Sequence, residues 1–183
     1  MKREEALDLM RTHLRNRNLQ KHTLAVEAVM RRLARHFGED EEKWGLTGIL
    51  HDLDYEITGG DLHRHSLVAA EMLERHGVEA DIVEAVKSHN EAHGVARRSL
   101  LAKGLFAVDP LTGLIVAAAL IHPEKKLAAI DARFVLNRFG EKAFARGAKR
   151  ETIKTCEEIG LSLEQFVELG LEAMQDIAGD LGL

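Results

Sequence analysis

GILHDLDYEITGGDLHRHS, residues 48–66, places a His51-Asp52 pair directly behind three near-apolar residues and follows it with three more acids and two more histidines. A carboxylate after an apolar run either ends a helix facing water or is buried with a strong partner, because an unpaired buried carboxylate is strongly disfavoured. The rest of the chain decides between these readings. Outside this stretch, strand signals are nearly absent, with no clear alternating β-branched run and no Asn-Gly or Asp-Gly turn, and apolar residues recur at helical spacing. The spacing predicts helices over about 3–15, 20–37, 41–53, 65–76, 79–89 and 98–108. Pro110 is expected to start another helix to about 121, and shorter helices are expected near 127–137, 141–146, 149–159 and 162–180. No linker or repeat interrupts the pattern. The expectation is one all-α domain over 1–183, its core at about 18–122 and helices 127–183 packed on it.

Ten histidines is a high count, and helical spacing sorts them by face. His22 shares a line with Ala25, Val26 and Val29, His65 with Val68, Ala69 and Met72, and His89 with Ile82, Ala85 and Val86. Asp109 sits between Ala102, Leu105 and Val116. A single histidine on an apolar face is more often a hydrogen-bonded core group than a ligand. Six such groups on five helices are simplest to explain by one shared partner, a metal centre, and imidazole with carboxylate suits Zn, Fe, Mn, Ni or Co. His13, His36, His76 and His122 fall near helix ends, where a partial positive charge suits the helix dipole. His63 and His93 lie in loops beside the candidate ligands.

The 183 residues are 45% hydrophobic and 30% charged, ordinary for a globular chain, and the formal charge of −5 offers no global basic field for a nucleic acid polymer. Cys156 is the single cysteine, so no intrachain disulfide or cysteine-based zinc cluster forms. The N-terminal MKREEALDLM lacks a signal-peptide core. Leu100–Ile121 is nearly long enough to span a bilayer but carries Lys103, Asp109 and Pro110, and is read as a buried helix. The expectation is a cytoplasmic protein with no membrane partner; whether it forms a homodimer is open.

The ordered set His22, His51-Asp52, His65, His89, Asp109 resembles the HD-domain superfamily of metal-dependent phosphohydrolases. AVDPLTGLIVAAALIHP and KAFARGAKRETI also look like its small single-domain members. The resemblance covers roughly 18–160 and implies that His22, His51, Asp52 and Asp109 bind one metal. It further implies that His65 and His89 hold a second, with Asp52 bridging. Many two-metal members carry a His-His pair where this chain reads Ser88-His89-Asn90.

The implied activity is hydrolysis of a small phosphorylated molecule, a nucleotide, phosphomonoester or phosphodiester, by metal-activated hydroxide, with one or two divalent transition metals per chain. Asp52 and Asp54 are the catalytic candidates, Asp54 either orienting a ligand imidazole or the water or being a solvated loop acid. His93 and Lys125 are the substrate-binding candidates, Lys125 chosen from Lys103, Lys125-Lys126, Arg133 and Arg138. No P-loop, GxGxxG or GxSxG motif is present. The same ligand order also resembles the HD-fold di-iron oxygenases, including myo-inositol oxygenase. A helical module with a structural metal is the third reading.

Overall fold

The computed structural model describes residues 1–141 and 143–183 and contains no strand among them. α1 (Arg3–His13) leads into α2 (Arg17–Phe37), capped by Asn16, whose side chain accepts from the Asn18 amide. α3 (Glu41–Leu50) begins at Asp40, which accepts from the Lys43 amide at 3.0 Å. The short α4 (Tyr55–Thr58) precedes α5 (Leu67–Arg75) and α6 (Ala80–Ser88), and a 3-10 turn at Glu91–His93 leads to α7 (Leu100–Ile121). A second 3-10 turn at Leu127–Ala129 precedes α8 (Ala132–Gly140). α9 (Arg150–Lys154) runs into a 3-10 segment, Thr155–Ile159, before α10 (Leu163–Asp176) and α11 (Ala178–Leu181).

α7 is the central element. Two helices divided at Pro110 were expected, yet one helix runs through it. Proline cannot donate to the Phe106 carbonyl and costs about 3 kcal/mol inside a helix. Leu105, Leu111, Leu114 and Ile115 are fully buried around it. At about 1.5–3 kcal/mol each, their burial outweighs the interruption. Among the described residues α7 is the one helix long and apolar enough to cross a membrane, and its apolar faces are largely covered by the chain itself. α10 lies against α2, α7 and α8, burying Phe166, Val167, Leu171 and Met174, and so is a piece of the core.

The apolar interior forms two clusters. The larger gathers α2, α7 and the C-terminal helices around Trp44, Leu105 and Phe166. The smaller joins α1, α3, α5 and α6 through Met10, Ile49, Leu50 and Leu73. α3 crosses α2 at Gly48, where a Cβ would stand 2.7 Å from both the N and Cα of Glu27. Only glycine allows that approach. A buried Glu27, held by Arg3 at 2.6 Å and Arg31 at 2.8 Å, ties α1 to the same crossing.

The expected helix at 141–146 is not a helix in its described residues, and Lys142 lies outside them. Instead the Arg150 guanidinium donates to the carbonyls of Arg138, Phe139, Glu141, Phe144, Ala145 and Ala148, three of which also accept turn-type amides from Glu141, Phe144 and Ala148. α3 stops at Leu50 rather than about 53, with His51 at its C-cap still in helical conformation.

Candidate metal centre

The seam between the two clusters collects the six sequence candidates. His22 comes from the second turn of α2, His51 and Asp52 from the end of α3, and His65 from the turn before α5. His89 caps α6, and Asp109 lies midway along α7. His51, Asp52, His65 and His89 are buried, whereas His22 and Asp109 are partly exposed.

Each imidazole has one nitrogen already committed. His51 donates Nδ1–H to the Gly48 carbonyl at 2.8 Å, and His89 donates Nδ1–H to the Val86 carbonyl at 2.6 Å. His65 donates Nδ1–H to the Asp54 carboxylate at 2.8 Å. The Thr112 hydroxyl donates to the Asp109 carbonyl at 2.9 Å, so its oxygen accepts from His22 Nδ1 at 3.2 Å. Carbonyl and carboxylate oxygens only accept, which fixes these tautomers.

The four Nε2 atoms therefore present lone pairs, and they converge on Asp52. Its Oδ2 lies 3.6 Å from His22 Nε2 and 3.4 Å from His51 Nε2. Its Oδ1 lies 3.5 Å from His65 Nε2 and 3.6 Å from His89 Nε2. Asp109 Oδ1 is 3.1 Å from His22 Nε2. His65 and His89 face each other, Nε2 to Nε2, at 3.2 Å. His51 Nε2 is buried with no hydrogen-bond partner.

Among the protein groups alone this arrangement is electrostatically unbalanced. No Lys or Arg pairs with Asp52 or Asp109 among the described residues. Burial by itself would lower His22 and His89. The Asp109 and Asp52 carboxylates beside their Nε2 atoms raise both above the ordinary histidine value, so at each a proton competes with any other cation for that lone pair. Burial dominates at His51, which is pushed down. Burial opposes ionisation of Asp52 and Asp109 too, yet the imidazoles beside them hold both below the usual carboxylate range. Facing lone pairs, an orphaned buried nitrogen and two ionised carboxylates all call for positive charge at one point. The donor set fits divalent transition metals, and each imidazole is braced from behind in the manner of a metal ligand. His22, His51 and Asp109 can each offer an atom within 4.8 Å of the others, as can His51, Asp52 and His89. His65 falls outside both groupings and joins through its contacts with His89 and Asp52.

The other candidates sit elsewhere. Asp54 is fully buried; its Oδ1 accepts from His65 and its Oδ2 from the Ala69 amide at 2.9 Å. It is no solvated acid, and it reaches the centre only by orienting His65. His93 turns away from the cavity and donates Nε2–H to the His65 carbonyl at 2.6 Å, a backbone brace rather than a substrate contact. Asn90 reinforces it, donating to the carbonyls of Leu62 and His65. Lys125 follows the far end of α7, roughly 20 Å along the chain axis from Asp109, and does not line the cavity. Ser66, beside His65, holds φ 71, a left-handed conformation costly for a non-glycine residue, and its hydroxyl donates to the Lys87 carbonyl.

His22, Asp52, His65, His89 and Asp109 open into a cavity of about 360 Å³. Tyr55, Leu62, Phe106 and Pro110 give it apolar walls. Opposite the cluster stand Gly147, Lys149 and Thr152, with Lys149 ion-paired to Glu91. Lys149 is the ammonium on this cavity among the described residues. It comes from a segment forty positions beyond Asp109, inside the KAFARGAKRETI stretch, where no spacing singles it out as a site residue.

The family model described as HD domain matches residues 19–132. Ribonuclease Y of Oleidesulfovibrio alaskensis is 28% identical over 102 residues, which are 54% of this chain and 18% of that protein. Ribonuclease Y of Nitratidesulfovibrio vulgaris is 29% identical over 102 residues, again 54% and 18%. Ribonuclease Y of Pelobacter propionicus is 30% identical over 100 residues, 52% and 18%. The match thus spans less than a fifth of these relatives. No solved structure matches the chain.

Proposed function

The chain belongs to the HD-domain family, and from that premise we propose that it is a metal-dependent phosphohydrolase whose ligands are His22, His51, Asp52, His65, His89 and Asp109. The observation that carries this reading is the set of four imidazoles with Nδ1 committed and Nε2 directed at Asp52 or Asp109, three of them lining an open cavity and His51 buried behind. A structural site would be coordinatively closed, whereas this one faces a cavity large enough for a small organic phosphate.

Asp52 is the bridging ligand in this proposal, because one oxygen faces the His22–His51 pair and the other the His65–His89 pair. That division supports two ions rather than one. When bound, divalent ions supply a lowered water pKa and polarise a phosphoryl oxygen. The protein's own contribution is positional. Gly48, Val86, Asp54 and Thr112 hold the ring planes, and Asp109 remains at the cavity edge beside the reacting group. Lys149 neutralises phosphate charge across the cavity, and the apolar lining of Tyr55, Leu62 and Pro110 meets the organic part of the substrate. A small phosphorylated molecule remains the preferred substrate. The name of the relatives favours a second reading, in which an RNA phosphodiester enters the same cavity.

The test combines plasma mass spectrometry of the purified protein with hydrolysis of p-nitrophenyl phosphate and bis(p-nitrophenyl) phosphate. The expected result is one or two divalent transition ions per chain and phosphate-ester turnover, both lost in Asp52→Ala. A protein that takes up no ion on reconstitution, or Asp52→Ala with full metal content and turnover, overturns the proposal. Two irons with consumption of O₂ and no ester hydrolysis would replace it with the oxygenase reading.

A further inference from the structure

A second groove, about 390 Å³, adjoins the cavity of the His–Asp cluster, and Lys149 lines both. The same segment builds the two. Gly147 and Thr152 face the cluster, while Arg146, Arg150 and Lys154 face the groove. Four cationic side chains and one acid, Glu151, therefore line a single depression on a chain whose net charge is −5. Of the four, Lys149 alone makes an ion pair among the described residues, with Glu91. Arg150 spends its N–H groups on six main-chain carbonyls, which shapes the wall and leaves its charge unpaired with any carboxylate among the described residues.

Clustered like charges repel one another, and a concave wall focuses their field outward toward an anion. Lys149, at the border, is placed to touch an anion on either side.

We propose that this groove is a second-phosphate site: it holds an anionic group of the substrate other than the one at the His–Asp cluster, so the preferred substrate carries at least two phosphates. The inference rests on the phosphohydrolase reading above and extends it to substrate class. The chemistry is shared by a compact nucleoside polyphosphate and by successive phosphates of a single strand.

Arg146 and Lys154 are exposed, and no hydrogen bond of their side chains contributes to the fold among the described residues, so Arg146→Glu with Lys154→Glu should fold; its melting temperature checks this. Two hydrolysis-resistant probes are titrated against metal-loaded protein. They are adenosine 5′-(β,γ-imido)triphosphate, by calorimetry, and a fluorescein-labelled phosphorothioate hexanucleotide, by anisotropy. The expected result is at least a tenfold loss of affinity for one probe, with turnover of bis(p-nitrophenyl) phosphate, which has a single phosphate, unchanged. Loss confined to the triphosphate identifies a compact polyphosphate. Loss for the hexanucleotide, with the log–log salt slope shallower by about 1.4 for two lost contacts, identifies a strand. Equal binding of both probes by variant and wild type overturns the inference. A binding loss in a protein that hydrolyses no ester overturns the phosphohydrolase reading and leaves the anion site standing.

Discussion

Two glycine-to-alanine substitutions, both inside helices, should act in opposite directions. Alanine is better than glycine in a helix interior by about 1 kcal/mol. At Gly113, on the exposed face of α7, a Cβ would meet nothing within 4 Å. Gly113→Ala should therefore realise the full gain and raise the melting temperature by about 2–4 °C in a chain of this size. At Gly48 the new Cβ would stand 2.7 Å from the N and Cα of Glu27 and 2.9 Å from the carbonyl carbon of Val26. An ordinary carbon contact needs about 3.5–4.0 Å, so the α2–α3 crossing must open by roughly 1 Å. The atoms in the way are backbone, which cannot rotate aside.

Overpacking of this kind costs about 1–3 kcal/mol, occasionally more, so even after the helix gain Gly48→Ala should lose up to about 2 kcal/mol. The shift also carries His51 and Asp52 away from His22, now 3.6 Å from Asp52. Thermal melts with and without added divalent metal, together with metal content, read both effects. The metal-dependent part of the stabilisation should shrink in Gly48→Ala and persist in Gly113→Ala. Equal melting temperatures and metal content in the two variants would refute the close crossing as the device that assembles the site.

Asp54→Asn tests the bracing of His65. The amide is isosteric but lacks the charge that His65 and the Ala69 amide face, and the loss of such a partner typically lowers metal affinity by about 10–100-fold. An unchanged metal affinity, measured by competition with a chelating dye, would show that His65 needs no orienting carboxylate. Cys156 is fully buried, and that burial pushes its thiol up to about 11 from an ordinary 9.0. The native protein should thus resist thiol reagents at pH 8 and react once on denaturation. Because the folded value lies above the unfolded one, the folded state holds the proton longer, and stability should fall as pH rises from about 9 to about 11. A Cys156→Ala protein with the same pH dependence would show that another group is responsible.

The helices and the six ligand candidates were legible because both depend on local periodicity. A histidine in line with Ala25, Val26 and Val29 points inward wherever α2 goes. Two of the four bracing contacts are local as well, since Gly48 and Val86 each lie three residues before the histidine they hold. The other two, Asp54 with His65 and Thr112 with His22, span loops or separate helices. Asp54 therefore read equally well as a solvated acid. Pro110 was misread for a related reason: its local cost is real, but the burial that outweighs it comes from helices distant in the chain.

The amino-acid order by itself determined an all-helical chain and which side of each helix carries imidazole or carboxylate, because helical geometry acts over three or four residues. Only the tertiary structure decided which cations meet the cavity. The need for a cation beside phosphate suggested Lys125, yet that residue lies beyond the far end of α7. Arg150 instead gathers the carbonyls of Phe144 and Ala145, beside Lys149, which lines the cavity of the cluster. Charge on a flexible surface side chain leaves no periodic trace, so its place in the site is settled by which loops the packed core brings together.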